Sequence, residues 1–572
     1  MHRQPIDWVP ISSHEYYQSV VGVARALQAW GIQKGDRVAI LSENRPEWSM
    51  ADFACLLLGA VVVPVYGTVT GEQTAYLLND SGARVVFVSS EKQLQKILGI
   101  QSQTPVERVV VMDAVETSHA THMYRLMRQG PAERDSKFDA AARAIEPGDL
   151  ATIIYTSGTT GTPKGVMLTH GNIAVNIGGW LDTVGFTSGQ VSISFLPLSH
   201  VTARNVDFGL LYLGVTLAYV SSVEQLPQAL TEVRPTIFVG VPRVYEKIHS
   251  QVNRKTEGIP KKWIYGWSLR VGRRHKPAIL EGKVPASLAW RLADRLVYAK
   301  VREAMGGHVV IFVSGGAPLG RELADWYASI GIRIQEGYGL TETSPVIAVN
   351  TPQAHRLGSV GKPLANIEVR IAEDGEILVR GPSVFQGYWN KPEETGSAFL
   401  DGWFKTGDIG HLDADGFLSV TDRKKDLIKT SGGKFIAPQP IENSLKHNAL
   451  IGEAVVLGDK YKFPAVLISP FFPLLEDWAR TNGVPFTSRP ELISHPRIRA
   501  LYEGIIQDLN GRLARFEQMK RVLLVPEEFS IESGTLTASM KMRRRVVEDR
   551  YRQLIEDMYA QADAVAPVAP VE

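Results

Sequence analysis

Residues 151–165 read ATIIYTSGTTGTPKG. The first five are apolar, β-branched or aromatic and form a strand-like run. The rest place glycines at Gly158, Gly161 and Gly165, hydroxyls at Thr156, Ser157, Thr159 and Thr160, and one cation at Lys164. Glycine tolerates positive φ and lets backbone amides approach a ligand closely. Exposed amides, hydroxyls and a lysine after a strand are what a triphosphate needs. The loop is not a Walker A loop, which requires glycine before the lysine and Ser or Thr after it. Here Pro163 precedes Lys164 and Gly165 follows, so the residues themselves disfavour a P-loop NTPase.

On either side, short apolar runs alternate with helical stretches. Arg37–Leu41, Val61–Val65, Arg84–Val88, Val109–Met112, Thr236–Gly240 and Val309–Ser314 join Ala151–Thr156 as predicted buried strands, and Ser13–Trp30 and Gly320–Ser329 read as helices. Alternation of this kind predicts α/β layers with largely parallel sheets. The longest apolar run, about Phe53–Tyr66, is too short for a membrane span and reads as a buried helix and strand. From about residue 358 to 420 the pattern changes to short alternating strands, with hairpin signals at Asp374-Gly375 and Asp415-Gly416, which predicts an antiparallel β module. A boundary is expected near Asp422, followed by a small α+β unit over 423–559 and an Ala/Pro/Val-rich tail, 560–572, expected to be disordered. No internal repeat is seen.

Composition narrows the function. Across 572 residues, 62 Lys and Arg against 60 Asp and Glu leave a net charge of +2, so nothing global points to nucleic acid. One cysteine, Cys55, excludes an internal disulfide and a cysteine-rich metal site and fits a reducing compartment. With no signal peptide and no span, the expected location is the cytoplasm. Residues 254–283 carry nine Lys or Arg against Glu257 and Glu281, with Trp263, Tyr265 and Trp267 interleaved. Two readings stand: a solvated helical face, or a peripheral contact with the inner face of a membrane.

The loop TSGTTGTPKG resembles the signature of the adenylate-forming superfamily, which includes acyl-CoA synthetases, peptide-synthetase adenylation domains and luciferases. Further motifs follow in that superfamily's order and cover nearly the whole chain. The resemblance implies a large N-terminal AMP-binding domain, 1–422, of two α/β sheet subdomains plus an antiparallel β-barrel-like module, and a small mobile C-terminal lid, 423–559. It assigns Gly315, Gly316 and Ala317 of SGGAPL to the adenine pocket. In EGYGLTETSP it assigns Glu336, Gly337, Tyr338 and Gly339 to the nucleotide, with Tyr338 stacking on adenine, and Thr341 to the α-phosphate. Glu342, a hard oxygen ligand, would meet Mg²⁺ together with Thr156. Asp408 of WFKTGDIG would accept both ribose hydroxyls, Arg423 of DRKKDLIK would reach the ribose, and Lys425 would be the hinge. Lys429, Gly432, Gly433 and Lys434 would form the CoA-side loop, and Lys541 in TLTASMKMRRR would be the catalytic lysine of adenylation, beside Lys164 of the phosphate loop.

FLPLSHV (195–201) and VGVPRVYEKI (239–248) resemble the long-chain fatty acyl-CoA synthetase branch, with His200 at the mouth of the acyl site. ENRPEW (43–48) fits the same branch and reads as scaffold. The implied activity consumes ATP, with Mg²⁺, and a long-chain fatty acid. It forms acyl-adenylate and transfers the acyl group to CoA. The alternative is a ligase that passes the acyl group to a carrier protein or an amine. Three positions depart from the pattern. Arg204 stands where some bacterial long-chain enzymes have a gating tryptophan, Phe435 follows GGK where a polar residue is common, and Ala538 replaces a common proline. The chain also begins close to the first block of resemblance, so a shorter N-terminal segment is expected.

Overall fold

Strands whose sequences are apolar throughout, such as VVVPV at 61–65, have no polar face to offer water and are buried on both sides. A computed structural model describes residues 8–156, 163–256, 258–431, 434–530, 533–537 and 542–565. In it these strands form the centres of two sheets. The first runs, in spatial order, Gly387–Tyr388, Lys164–Thr169, Leu150–Thr156, Val61–Val65, Arg37–Leu41, Val85–Val88, Arg108–Val111 and Thr121–His122. It is parallel except where Lys164–Thr169 turns back on Leu150–Thr156 and Gly387–Tyr388 joins that edge. The second runs Lys362–Pro363, Val346–Val349, Ile334–Gly339, Ile311–Ser314, Ile237–Gly240, Val191–Ser194 and Thr216–Tyr219, parallel from Ile334–Gly339 onward. Each fully buried Val, Leu or Ile in these strands contributes about 1.5–3 kcal/mol of transfer free energy.

The antiparallel module is a five-stranded sheet organised on the long strand Trp403–Leu412, which pairs with Glu376–Arg380, Phe399–Leu400 and Leu418–Arg423. Both Asp-Gly pairs close hairpins of this sheet. Beyond it, Ile451–Leu457, Ala465–Pro470 and Val522–Leu524 make a smaller sheet. Helices Pro438–Lys446, Phe472–Thr481 and Pro496–Asn510 cover it, with Phe472 and Tyr502 fully buried in their shared core. Asp422 joins the two regions. Its carboxylate accepts the amides of Arg423 (2.7 Å) and of Gln439 (2.9 Å), in the first turn of Pro438–Lys446. Burial raises this carboxyl to about 6.

One expectation needs correction. The tail is not irregular from residue 560, because helix Arg552–Val565 runs on to Val565. Tyr559 anchors that helix: its ring stacks on Tyr461 at 3.7 Å and its hydroxyl donates to Phe463 O at 3.1 Å. Residues 566–572 lie outside the described residues.

Candidate active site

Strand ends from both sheets meet at one cleft of about 3260 Å³. Two antiparallel strands lead up to it on either side of the phosphate-loop residues, and their last pair is Thr156 with Lys164. Strand Lys164–Thr169, not a helix, follows this loop, so the lysine stands at a strand start. Gly165 is required here, since a Cβ would lie 2.6 Å from Ile153 Cγ2. Thr156, Pro163 and Lys164 line the cleft, while Ser157, Gly158, Thr159, Thr160 and Gly161 lie outside the described residues.

Gly315, Gly316 and Ala317 follow strand Ile311–Ser314 and line the same cleft, with Gly316 at φ 81°. Glu336, Gly337, Tyr338 and Gly339 end the neighbouring strand. Glu336 is buried, receives the Leu319 amide, and is pushed up to about 8 by burial. It ties SGGAPL to EGYGLTETSP. Thr341 and Glu342 form a short turn before the chain reverses into Val346–Val349. Gly339 is obligatory at this reversal, because a Cβ would lie 1.7 Å from Pro345 O. Two buried asparagines hold the turn from outside the motif. Asn176 donates to Val346 O (2.8 Å) and accepts from Val346 N (3.2 Å). Asn205 donates to Ser344 O (2.9 Å) and accepts from Trp180 Nε1 (2.7 Å).

Glu342 accepts a hydrogen bond from Tyr388 Oη at 2.9 Å, and Lys164 Nζ lies 5.3 Å from the centre of the same ring. Tyr388 therefore connects the phosphate loop to the acidic turn. Burial and the Glu342 carboxylate raise its phenol far above the usual range. Sequence reading missed Tyr388, and its only local signal is an aromatic in a two-residue edge strand. Asp408 is buried, with Tyr338 Oη donating to one carboxylate oxygen (2.7 Å) and Arg423 Nε to the other (2.8 Å). Burial and the Asp408 charge raise the Tyr338 phenol.

The bases of DRKKD divide their tasks. Arg423 pairs with Asp408, and Lys424 pairs with Asp374 (2.6 Å) and Glu376 (2.7 Å). Lys425 lines the cleft, its ammonium lowered by burial. Lys429 lies in the small hairpin Ile428–Lys429 with Phe435–Ile436, its Nζ 5.4 Å from the Phe435 ring centre. No described residue of that hairpin, Lys434 included, lines the cleft; Gly432 and Gly433 lie outside the described residues. Lys541 also lies outside them, but Leu536, Thr537, Met542 and Arg543 on either side of it line the cleft, and Leu536 and Met542 form an antiparallel bridge.

His200 lines the cleft at the N-cap of helix Val201–Tyr212, with Nδ1 accepting the Thr202 amide at 3.2 Å. This bond assigns the neutral ring its proton on Nε2. Asn44 of ENRPEW fixes the preceding loop, donating to Leu196 O (2.6 Å) and accepting from Leu198 N (2.9 Å). Arg204 is 3% exposed and forms a two-pronged ion pair with the fully buried Asp52, at 2.7 and 2.5 Å, and donates to Thr152 Oγ1 at 2.8 Å. It is a fixed core cation here. Among the described residues, no group of three or more His, Cys, Asp or Glu comes together to hold a metal.

The AMP-binding enzyme model matches residues 5–389, and the AMP-binding enzyme C-terminal domain model matches 425–563. The chain belongs to the AMP-binding enzyme family. The long-chain-fatty-acid–CoA ligase FadD15 of Mycobacterium bovis is 37% identical over 564 residues, 96% of this chain and 92% of that protein. The peroxisomal long chain acyl-CoA synthetase 7 of Arabidopsis thaliana is 34% identical over 571 residues, 94% of this chain and 80% of that one. Among solved structures, ATP-bound MatB of Rhodopseudomonas palustris is similar in fold, with a TM-score of 0.71 at 24% identity over 95% of this chain and 94% of that chain.

Proposed function

We propose that this protein is an ATP-dependent long-chain fatty acid–CoA ligase. One observation carries the reading: Thr156, Lys164, Gly315–Ala317, Tyr338–Glu342, Asp408, Arg423, Lys425 and the residues flanking Lys541 all line one cleft. The relatives' names supply the acyl class. A carboxylate is a poor electrophile because its leaving group would be oxide. Its oxygen attacks the α-phosphorus of ATP, the bond to the β-phosphate oxygen breaks, and acyl-adenylate and pyrophosphate form. The CoA sulfur then attacks the acyl carbon, AMP leaves with the electron pair, and the thiol proton is released.

In this reading Asp408 and Arg423 hold the ribose, Tyr338 and the Gly315–Ala317 turn hold adenine, and Thr341 holds the α-phosphate. Lys164 and its loop hold the outgoing pyrophosphate. Lys541 stabilises the charge that grows between carboxylate and α-phosphate, where a preorganised cation contributes most. Glu342 and Thr156 fit a hard cation that arrives with the polyphosphate, since such an ion needs few protein oxygens. Mg²⁺ bound there would neutralise phosphate charge. His200, capped to its helix, would orient the acyl carboxylate at the tunnel mouth.

One cleft cannot present both Lys541 and a thiol to the same carbonyl. We place the hinge at Lys425 and the domain boundary near Asp422, so that rotation exchanges the Lys541 segment for the Lys429–Lys434 loop. The residues flanking Lys541 line the cleft while the described part of the hairpin does not, which suits the first half-reaction. A peripheral contact with a membrane would suit a substrate that partitions into lipid. The test is a product-mass assay with Mg-ATP and acids from short to long chain, with and without CoA. We expect acyl-CoA, formed mainly from long-chain acids. Acyl-adenylate that accumulates equally with and without CoA would overturn the reading in favour of a carrier-protein or amine acceptor.

A further inference from the structure

The basic segment does not turn its aromatics outward as a lipid-binding face would. In helix Ile259–Leu280, Tyr265 and Trp267 pack against the core, and only Trp263 is left well exposed, at 73%. The apolar face lies on the loop and helical segment that follow. Val284, Leu288, Leu292 and Leu296 are 86%, 82%, 51% and 37% exposed. The three leucines recur every four residues and share one side, whereas Trp290, Ala293, Val297 and Tyr298 of the same segment are buried. Arg291 and Arg295 stand beside the leucines on the solvent side. From Lys283 to Lys300 the bases are Lys283, Arg291, Arg295 and Lys300, and the only acid, Asp294, is held by Arg302 at 2.6 Å.

The strip is rigidly mounted. Ser287 hydrogen-bonds His275 at 2.8 Å, Trp290 meets the His275 ring edge to face at 5.8 Å, and Tyr298 Oη donates to Ser268 O at 2.5 Å. The supporting helix Ile259–Leu280 lines the cleft with Leu269 and Arg273. The exposed strip and one wall of the cleft are therefore built on the same helical hairpin.

We propose that the face formed by Val284, Leu288, Arg291, Leu292, Arg295 and Leu296 docks on the surface of an anionic phospholipid bilayer. Single exposed leucines are ordinary, but a contiguous apolar strip marks an interaction site. Leucines interleaved with arginines bury apolar stems at the acyl boundary while the guanidinium groups reach lipid phosphates. A second copy of the chain fits less well, because symmetric pairing would bring the arginines of both copies together with Asp294 already paired. The choice of a bilayer rests on the acyl-ligase reading, since a long-chain acid resides in one; the face itself does not.

The test sediments the full chain with vesicles of equal parts phosphatidylglycerol and phosphatidylcholine, and with phosphatidylcholine alone. We expect binding to the anionic vesicles that weakens as salt is raised. L288Q/L292Q and R291Q/R295Q should each lower the partition coefficient by about tenfold or more. Their melting temperatures and their ligation of a short, soluble acid should not change. Wild-type protein that stays in the supernatant with both vesicle types would overturn the proposal, as would variants that bind like wild type. A dimer in size exclusion that L288Q/L292Q abolishes, without any vesicle binding, would reassign the face to self-association. Failure of the acyl-ligase reading would appear separately, as absent acyl-CoA from a long-chain acid supplied in detergent without vesicles.

Discussion

Two stretches of this chain look alike in composition and behave oppositely. DRKKD at 422–426 and the hairpin from Arg254 to Arg302 are both dense in bases. In the first, each base turns inward to a stated place: Arg423 to Asp408, Lys424 to Asp374 and Glu376, Lys425 to the cleft. In the second, most bases face solvent and flank exposed leucines. A charge run has no fixed meaning by itself. Its role depends on whether the fold brings acceptors to it. Strand Trp403–Leu412 does so for the hinge, and nothing comparable faces Arg291 and Arg295 among the described residues.

Changes that strand a cation or its partner should separate these classes. The largest effect is expected at Arg204 and Asp52, where R204M or D52N leaves one buried charge alone and should cost about 3–5 kcal/mol, read by denaturant unfolding. The double variant should recover part of that loss. Next is D408A, which removes the acceptor for Arg423 and for the proposed ribose bonds. It should lower kcat/KM for ATP by roughly 10–100-fold and cost about 1–3 kcal/mol of stability, because Tyr338 and Arg423 lose a buried acceptor. A smaller effect is expected from E336Q, read as melting temperature against pH. The folded-state value near 8 lies above the ordinary 4.5. The folded protein thus holds the proton more tightly, and wild-type stability falls as pH rises from about 4.5 to 8. E336Q has no such slope, so its melting temperature should gain steadily on wild type as pH rises through that window. The smallest effect belongs to R291Q/R295Q, within about 0.5 kcal/mol of wild-type stability.

The fold was readable where burial is complete on both faces. VVVPV and RVAIL leave no alternative to central strands, and both lie where expected. The motifs were readable because glycine and hydroxyl spacing is local. What sequence could not convey was pairing between distant segments. Arg204 meets Asp52 from 152 residues away, and Tyr388 reaches Glu342 across 46. Asn176 and Asn205 hold the Thr341–Glu342 turn from helices that precede it by more than 130 residues. The aromatic content of 254–283 did not convey helical phase, which packing against helix Arg321–Ser329 sets so that Tyr265 and Trp267 turn inward. Tyr559 stacking on Tyr461 likewise carried a helix into a tail that composition alone leaves irregular.

The most direct test of a two-step ligase is to measure both half-reactions of K541A. Pyrophosphate release from Mg-ATP and a long-chain acid should fall by about 10²–10³-fold, the usual effect of removing a preorganised transition-state charge. Conversion of supplied acyl-adenylate and CoA to acyl-CoA should stay within about threefold of wild type, because the lysine is not used in that step. Equal loss of both half-reactions would contradict the division of labour between Lys541 and the hinge-linked loop.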